Sequence, residues 1–436
     1  MTRISPLVLF VLLSILGSFA NAEPWPQWRG PAGDGVVRET GLPLTWSETS
    51  NIAWKSELPA WGTSTPAVWN DALFLTVQHD DGKLQLLRLN SSDGKIVWTR
   101  DVGAAETVRE AAKRSVQKFH RLHNAASPSP VTDGETVYVH FGNGDLAAFD
   151  FAGKELWKRN LQDDYGPYSI WWGHANSPVL HGELLISVCM QDSLVGAAGD
   201  PPPKQALSYV VAHDKRSGAV RWYTPRMTVA DAEQCDSYTT PIFHPTPTGP
   251  EMIVMGGNQI DAYDPLTGKQ RWYLDGLTGG RTITGPVVAG DMAYATRGQK
   301  KDLVAVKLGG NGKLEEAAVA FRHAEATPDT CCPVVVNGRI FIVADQGIAQ
   351  CLNAATGALL WKERIPGDYK ASPIAAEGRV YFLNTAGLCT VIDAKADAFT
   401  KLAENQLDDE TLASPAASDG KLYVRGKKHL YCIKTK

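Results

Sequence analysis

Cys332-Pro-Val-Val-Val-Asn-Gly-Arg-Ile-Phe-Ile-Val-Ala-Asp-Gln-Gly-Ile-Ala-Gln-Cys-Leu-Asn-Ala-Ala-Thr-Gly-Ala-Leu-Leu-Trp361 reads as four short strands separated by three tight turns. The turns fall at Asn337-Gly338, Asp345-Gln346-Gly347 and Thr356-Gly357. Glycine supplies the positive φ that such hairpins need. Between the turns, apolar and small residues alternate or run in stretches too short for a helix. Proline opens the unit at the start of its first strand, where a missing N–H costs least. Tryptophan closes it.

The same phrase recurs along the chain, and a fixed recurrence outweighs any single segment in deciding a fold. A small residue followed by proline opens each copy, at Pro66, Pro130, Pro178, Pro241, Pro286, Pro333, Pro373 and Pro415. The closing aromatic is Trp98, Trp157, Trp222, Trp272 and Trp361, with Phe321 in the fifth copy and Leu402 expected in that slot of the seventh. The eighth copy ends without one. Its missing strand is supplied near the N-terminus, in Asn51-Ile-Ala-Trp54. Eight starts thus match eight ends if an N-terminal strand completes the last unit. Closing a ring in this way removes exposed sheet edges. The prediction is an all-β, eight-bladed β-propeller of four-stranded antiparallel blades. Each closing aromatic is expected to pack between neighbouring blades.

The phrase Asp264-Pro-Leu-Thr-Gly-Lys-Gln-Arg-Trp272, repeated in register, resembles the repeat of the PQQ-like (quinoprotein-type) propeller family. The opening Trp25-Pro-Gln-Trp-Arg-Gly-Pro31 is similar to the start of exported members. The resemblance covers nearly all of the chain beyond its leader. It implies fold more than activity, because the family holds both quinone-dependent dehydrogenases and non-catalytic barrel-assembly propellers.

Bulk properties agree. The 436 residues are 44% hydrophobic and 21% charged, with 40 Gly, 26 Pro and 13 Trp. A formal net charge of -4 provides no basic footprint for nucleic acid or an anionic membrane. Arg3, the apolar run Leu7 to Leu16 and the small-x-small triplet Ala20-Asn21-Ala22 form a secretory leader, with cleavage expected near Ala22-Glu23. The run is short for a bilayer span. The chain therefore divides into a signal peptide (1–22), an N-terminal extension (23–50) and the propeller (51–436), in a periplasmic or secreted protein without a membrane span and expected to be monomeric. Seven cysteines leave at least one free or paired outside the chain.

In a four-stranded blade, the connections between blades and the loops joining the second and third strands share one face. Both long insertions fall there. One lies near 104–123, where Val108, Ala112, Val116 and Phe119 have helical spacing. The other lies near 189–207. Long loops in a compact domain usually carry function. Residues shortly before each blade-opening proline are expected to ring the central mouth of this face. They include Trp61, His123, Asn124, Trp172, His174, Asn176, Asp236, Tyr238, Arg281, Asp329, Asp368, Tyr369, Lys370 and Glu410. Cys331 and Cys332 occupy the same position in the sixth copy, either as a vicinal disulfide or as two thiols, and Cys235 is an alternative partner for Cys332. Cys351 and Cys432 share one slot of the third strand and read as core.

Two functions fit. One is a binding or scaffold module that meets a protein, peptide or glycan through the looped face. The alternative, implied by the resemblance, is a PQQ- and calcium-dependent dehydrogenase of an alcohol or sugar. It would draw metal oxygens from Asn176, Asp236, Asp329 and Asp368, although no spacing motif links them. His120, His123 and His174 could bind a transition metal. No Cys-x-x-Cys-His haem phrase, nucleophile elbow or phosphate loop is present.

Overall fold

A computed structural model describes residues 23–105, 119–191, 208–230, 232–298 and 301–435. The expected leader and most of both insertions lie outside these residues. Eight sheets surround one axis. Blade 6 shows the plan: Val334–Val336, Arg339–Val343, Ile348–Asn353 and Leu359–Arg364 pair antiparallel in sequence order from the axis outward. Blade 8 takes Ala416–Ser418, Lys421–Arg425 and His429–Lys434 from the C-terminus and Ile52–Glu57 from the N-terminus. Trp54 stands opposite Cys432 in that closing pair, as Trp361 stands opposite Cys351 in blade 6.

The recurring residues each have a mechanical task. The Asp or Asn that starts the outer turn accepts two turn N–H groups, as Asp214 Oδ1 does from Arg216 and Ser217 and Asp264 Oδ1 from Leu266 and Thr267. Four residues on, glycine adopts a φ near +70°, with values of 69° at Gly218 and 71° at Gly268. The closing Trp of the preceding blade lies on that glycine: a Cβ at Gly218 would stand 2.7 Å from the Trp157 ring. The indole N–H then bonds to the same turn. Trp54 donates to Ser91, Trp98 to Phe151, Trp157 to Lys215 and Trp222 to Pro265, at 2.9–3.1 Å. The aromatics thus pin each blade to the next.

The other blades depart from this plan: Phe321 in blade 5 has no N–H to donate, and the Trp361 indole N–H of blade 6 has no partner among the described residues. Trp272 bonds to Glu251 of its own blade, because residues Gly312–Lys313 add a parallel fifth strand beside it. In blade 7 the slot is not filled by Leu402. A one-residue bulge puts Ala403 opposite Val391 and leaves Leu402 41% exposed. Trp46, from the N-terminal segment, packs in the same core cluster as Ala403 and takes the place of a closing aromatic.

That N-terminal segment crosses the axis before it reaches blade 8. Trp25 exchanges two backbone bonds with Val68 in blade 1, and Pro26 accepts from Thr132 in blade 2. Arg29, 2% exposed, donates to the carbonyls of Pro333 and Pro373 in blades 6 and 7. Val36–Val37 then runs parallel to the innermost strand of blade 7, Ile374–Ala376. The channel is therefore plugged on the side away from the looped face.

Candidate functional site

The residue immediately before each blade-opening proline faces the axis: Thr65, Ser129, Ser177, Thr240, Gly285, Cys332, Ser372 and Ser414. Proline directs the preceding residue to extended backbone. Its N–H therefore points sideways, toward the next blade. The Thr65 N–H donates to Ser129 Oγ (2.9 Å), Ser129 to Ser177 Oγ (2.9 Å) and Ser177 to Thr240 Oγ1 (3.2 Å). After a break, Gly285 donates to Cys332 Sγ (3.0 Å), Cys332 to Ser372 Oγ (2.9 Å) and Ser372 to Ser414 Oγ (3.0 Å). Thr65 Oγ1 closes the circle on the Ser414 carbonyl. The break falls at Gly285, which has no side chain and lies beside the Trp28 ring. The smallness of this position, visible in every copy, is the signature of a hydrogen-bonded girdle around the neck of the channel.

Above the girdle lies a cavity of about 350 Å³. Apart from Trp28 at its floor, every residue lining it comes from a connection between blades. Of the residues singled out from the sequence, His120, His123, Trp172, Tyr238, Arg281, Asp329 and Lys370 line it. Arg281 bridges Glu233 (3.3 Å) and Asp329 (2.7 Å), and Lys370 pairs with Asp345 (2.5 Å). His120 meets Trp172 edge to face, with ring centroids 5.3 Å apart. Burial, and then the charges of Arg121, Arg281 and Lys370, lower the pKa of His120. Burial brings His123 down to about 4. Both imidazoles are neutral at pH 7. Burial, followed by the Asp236 charge, raises the Tyr238 hydroxyl well above its usual range.

The remaining candidates stand elsewhere. Asn124 shapes a turn, accepting from Ala126 and donating to the Trp61 carbonyl. Trp61 sits at the outer rim under the Lys427 ammonium (5.4 Å). His174 is buried, 3.2 Å from His140 and stacked on Tyr168. Asn176 donates to Thr239, leaving its buried Oδ1 without a partner. Asp236 is wholly buried, accepting from the Trp171 N–H and the Tyr238 hydroxyl. Tyr369 is core, its hydroxyl donating to Pro366, while Asp368 is exposed and Glu410 pairs with Lys427 at the rim. The seven cysteines are buried thiols, so neither Cys331–Cys332 nor Cys235–Cys332 is bridged. Cys332 is a girdle member and Cys331 belongs to the core between blades 6 and 7. Residues 119–123, described up to the girdle, form a turn in which His123 N–H bonds to the His120 carbonyl.

Trp28, Glu233 and the girdle hydroxyls escaped the sequence reading. The hydroxyls had a visible signal, since the same small slot recurs in every copy. Trp28 lies in the quoted opening phrase, but its place at the axis had no signal, because that segment occurs once.

The oxygens suggested for calcium do not converge. Asp236 and Asp329 are already engaged, Asn176 is buried behind Thr239 and Asp368 is turned to solvent. Among the described residues, no group of three or more His, Cys, Asp and Glu could hold a metal. The residues present do not fit a calcium-quinone centre.

A family model described as outer membrane protein assembly factor BamB matches residues 35–194, 208–349 and 318–398. The crystal structure of BamB from Moraxella catarrhalis superposes with a TM-score of 0.57 at 12% identity, over 87% of this chain and 98% of that one. A quinohemoprotein alcohol dehydrogenase from Comamonas testosteroni gives 0.68 at 12% identity, over 95% and 81%. A europium-containing methanol dehydrogenase gives 0.66 at 10% identity, over 93% and 90%. Curated protein sequences give no match. At such identities these structures share the fold.

Proposed function

The chain belongs to the PQQ-like propeller family described as outer membrane protein assembly factor BamB, and from that premise we propose that it is an exported binding module that meets a partner protein through its looped face. The observation that supports this best is the state of the mouth. Most of the charges that line it answer one another, Arg281 with Glu233 and Asp329 and Lys370 with Asp345. Aromatic and apolar groups, including Trp172, Tyr238, Leu122 and Leu412, fill the space between them. Aromatic and Arg side chains set among satisfied polar groups are the composition of recognition surfaces. A redox centre would instead bring metal oxygens to one point. The leader-like N-terminus is consistent with export.

Two measurements separate the readings. Photo-crosslinkers at Trp61, Trp172 and Lys427 should capture one partner in the cell envelope, whereas the same probe at Leu359, on the outer edge of blade 6, should not. Purified protein given PQQ and calcium should show neither stoichiometric uptake by visible absorbance nor dye reduction with alcohols or sugars. Turnover in that assay would replace the binding module with a dehydrogenase.

A further inference from the structure

The segment that plugs the axis is held at its head by one carboxylate. Glu39 Oε1 accepts from the backbone nitrogen of Glu23, and Glu39 Oε2 accepts from the Asp419 N–H (2.7 Å) in the inner hairpin turn of blade 8. That turn also holds the head directly, with Ser418 Oγ donating to the Glu23 carbonyl (2.8 Å). Its Gly420 lies against the Thr40 and Gly41 backbone. Two residues beyond Glu23, Trp25 makes its backbone bonds to Val68 in blade 1. Residue 23 is therefore fixed between the inner strands of blades 8 and 1, and its nitrogen points at a carboxylate.

Glu39 pairs with no lysine or arginine among the described residues. The cations around it are engaged elsewhere. Arg38 bonds to Asp34 (2.7 Å) and also feels the Glu23 carboxylate, and Lys421 bonds to Asp419 (2.7 Å). A neutral amide N–H leaves the Glu39 charge unanswered. An ammonium at the same nitrogen would answer it.

The sequence supplies that ammonium. Ala20-Asn21-Ala22 puts the expected leader cleavage directly before Glu23. Hydrolysis by a leader peptidase adds water across the Ala22–Glu23 bond. Ala22 departs as a carboxylate, and the Glu23 nitrogen becomes a primary amine, protonated at neutral pH. Resting on the reading that the chain is exported, we propose that this new amino terminus is a working part of the fold: its ammonium pairs with Glu39 and locks the head of the plug to blade 8. Leader removal and seating of the plug are thereby coupled. Pairing with an opposite charge raises an amine's pKa. The stabilisation is then complete below the unfolded chain's value and is lost as pH rises through the folded one.

Protein recovered from the cell envelope should have an intact mass that begins at Glu23 with a free amine. Acylation of that amine, followed by mass spectrometry as pH is varied, should give a pKa about half a unit or more above the roughly 7.7–8.0 of an ordinary amino terminus. Glu39→Gln keeps a carbonyl oxygen for the Asp419 N–H but removes the charge, and should return the amine to the ordinary range. A chain with one extra alanine before Glu23 keeps the amide N–H at residue 23 and moves the ammonium away by about 3.5 Å. Its amine should also titrate normally, and its Trp25 amide should exchange with deuterium about three-fold faster or more at neutral pH. An ordinary pKa in the mature protein, a raised pKa that survives Glu39→Gln, or Trp25 exchange indifferent to the added alanine would each overturn the inference. A mature chain that starts at another residue overturns it and leaves export standing. A chain that keeps its leader inside the cell removes the export reading as well.

Discussion

His174 shows how a residue can sit next to the site and serve a different purpose. It lies within hydrogen-bonding distance of His140, which in turn contacts the Tyr168 hydroxyl, and all are sealed from solvent. His213 is also fully buried, and neither of its ring nitrogens has a partner. Burial lowers His174 to about 3 and His213 to about 4, and burial followed by the neighbouring imidazoles depresses His140 well below its ordinary value. The unfolded chain takes up these protons near pH 6.5, whereas the folded chain refuses them until far lower. Between those values the unfolded state binds more protons, so stability falls as pH falls. At one pK unit per 1.36 kcal/mol, each such imidazole removes about 2 kcal/mol between pH 7 and pH 5. Denaturant midpoints should therefore drop over that interval, and His213→Phe should flatten the decline; an unchanged midpoint would show that these rings are protonated in the fold. Sequence position alone could not separate His174 from His123, since both stand shortly before a blade-opening proline. Which of them reaches the cavity depends on alternation within the connection and on the neighbouring blade.

At the scale of the blade, most of the architecture was legible because one mechanical solution is repeated. The turn glycine is required twice, by its φ of 69° at Gly218 and by the Trp157 ring above it. Gly218→Ala should then cost about 2–3 kcal/mol, combining a strained φ with displaced packing. Leu402→Ala should cost less than about 1 kcal/mol, since the side chain is on the surface. Thermal or urea denaturation of the two variants would check the contrast. Equal losses would mean that Leu402 does occupy the inter-blade slot. The misassignment of Leu402 has a plain cause. The same bulge occurs in blades 6 and 7, but the turn before it is longer in blade 7, where the Asp393 N–H bonds to the Thr400 carbonyl while the Asn353 N–H of blade 6 bonds to Ala358, and no aromatic was present to correct the count. Cys332 shows the converse. It looked like reactive chemistry in the sequence, yet the girdle gives it the same duty as the serines in other blades. Burial raises its thiol pKa.

For the molecule as a whole, the ring closes in two places with the same N-terminal segment. Ile52–Glu57 completes blade 8 from outside, and Arg29 ties blades 6 and 7 from within. Arg29→Ala strips hydrogen-bond donors from the buried Pro333 and Pro373 carbonyls, and should lower the unfolding free energy by about 2–4 kcal/mol. It should also increase protease cleavage within residues 25–46, whereas Arg38→Ala, half exposed and paired locally with Asp34, should do neither. The fold was readable because closure can be inferred by counting starts and ends. The plug was not, because a segment that occurs once has no internal copy to compare with. Its position also sets the order of assembly. Arg29 bonds to Pro373 across 344 residues, and Trp54 waits for a strand that ends at Lys434. A chain delivered vectorially, N-terminus first, must carry its axle and its clasp unseated until the last blade has emerged. Throughout that interval the first strands expose their edges, and closure of the ring awaits arrival of its C-terminal strand rather than formation of any early blade.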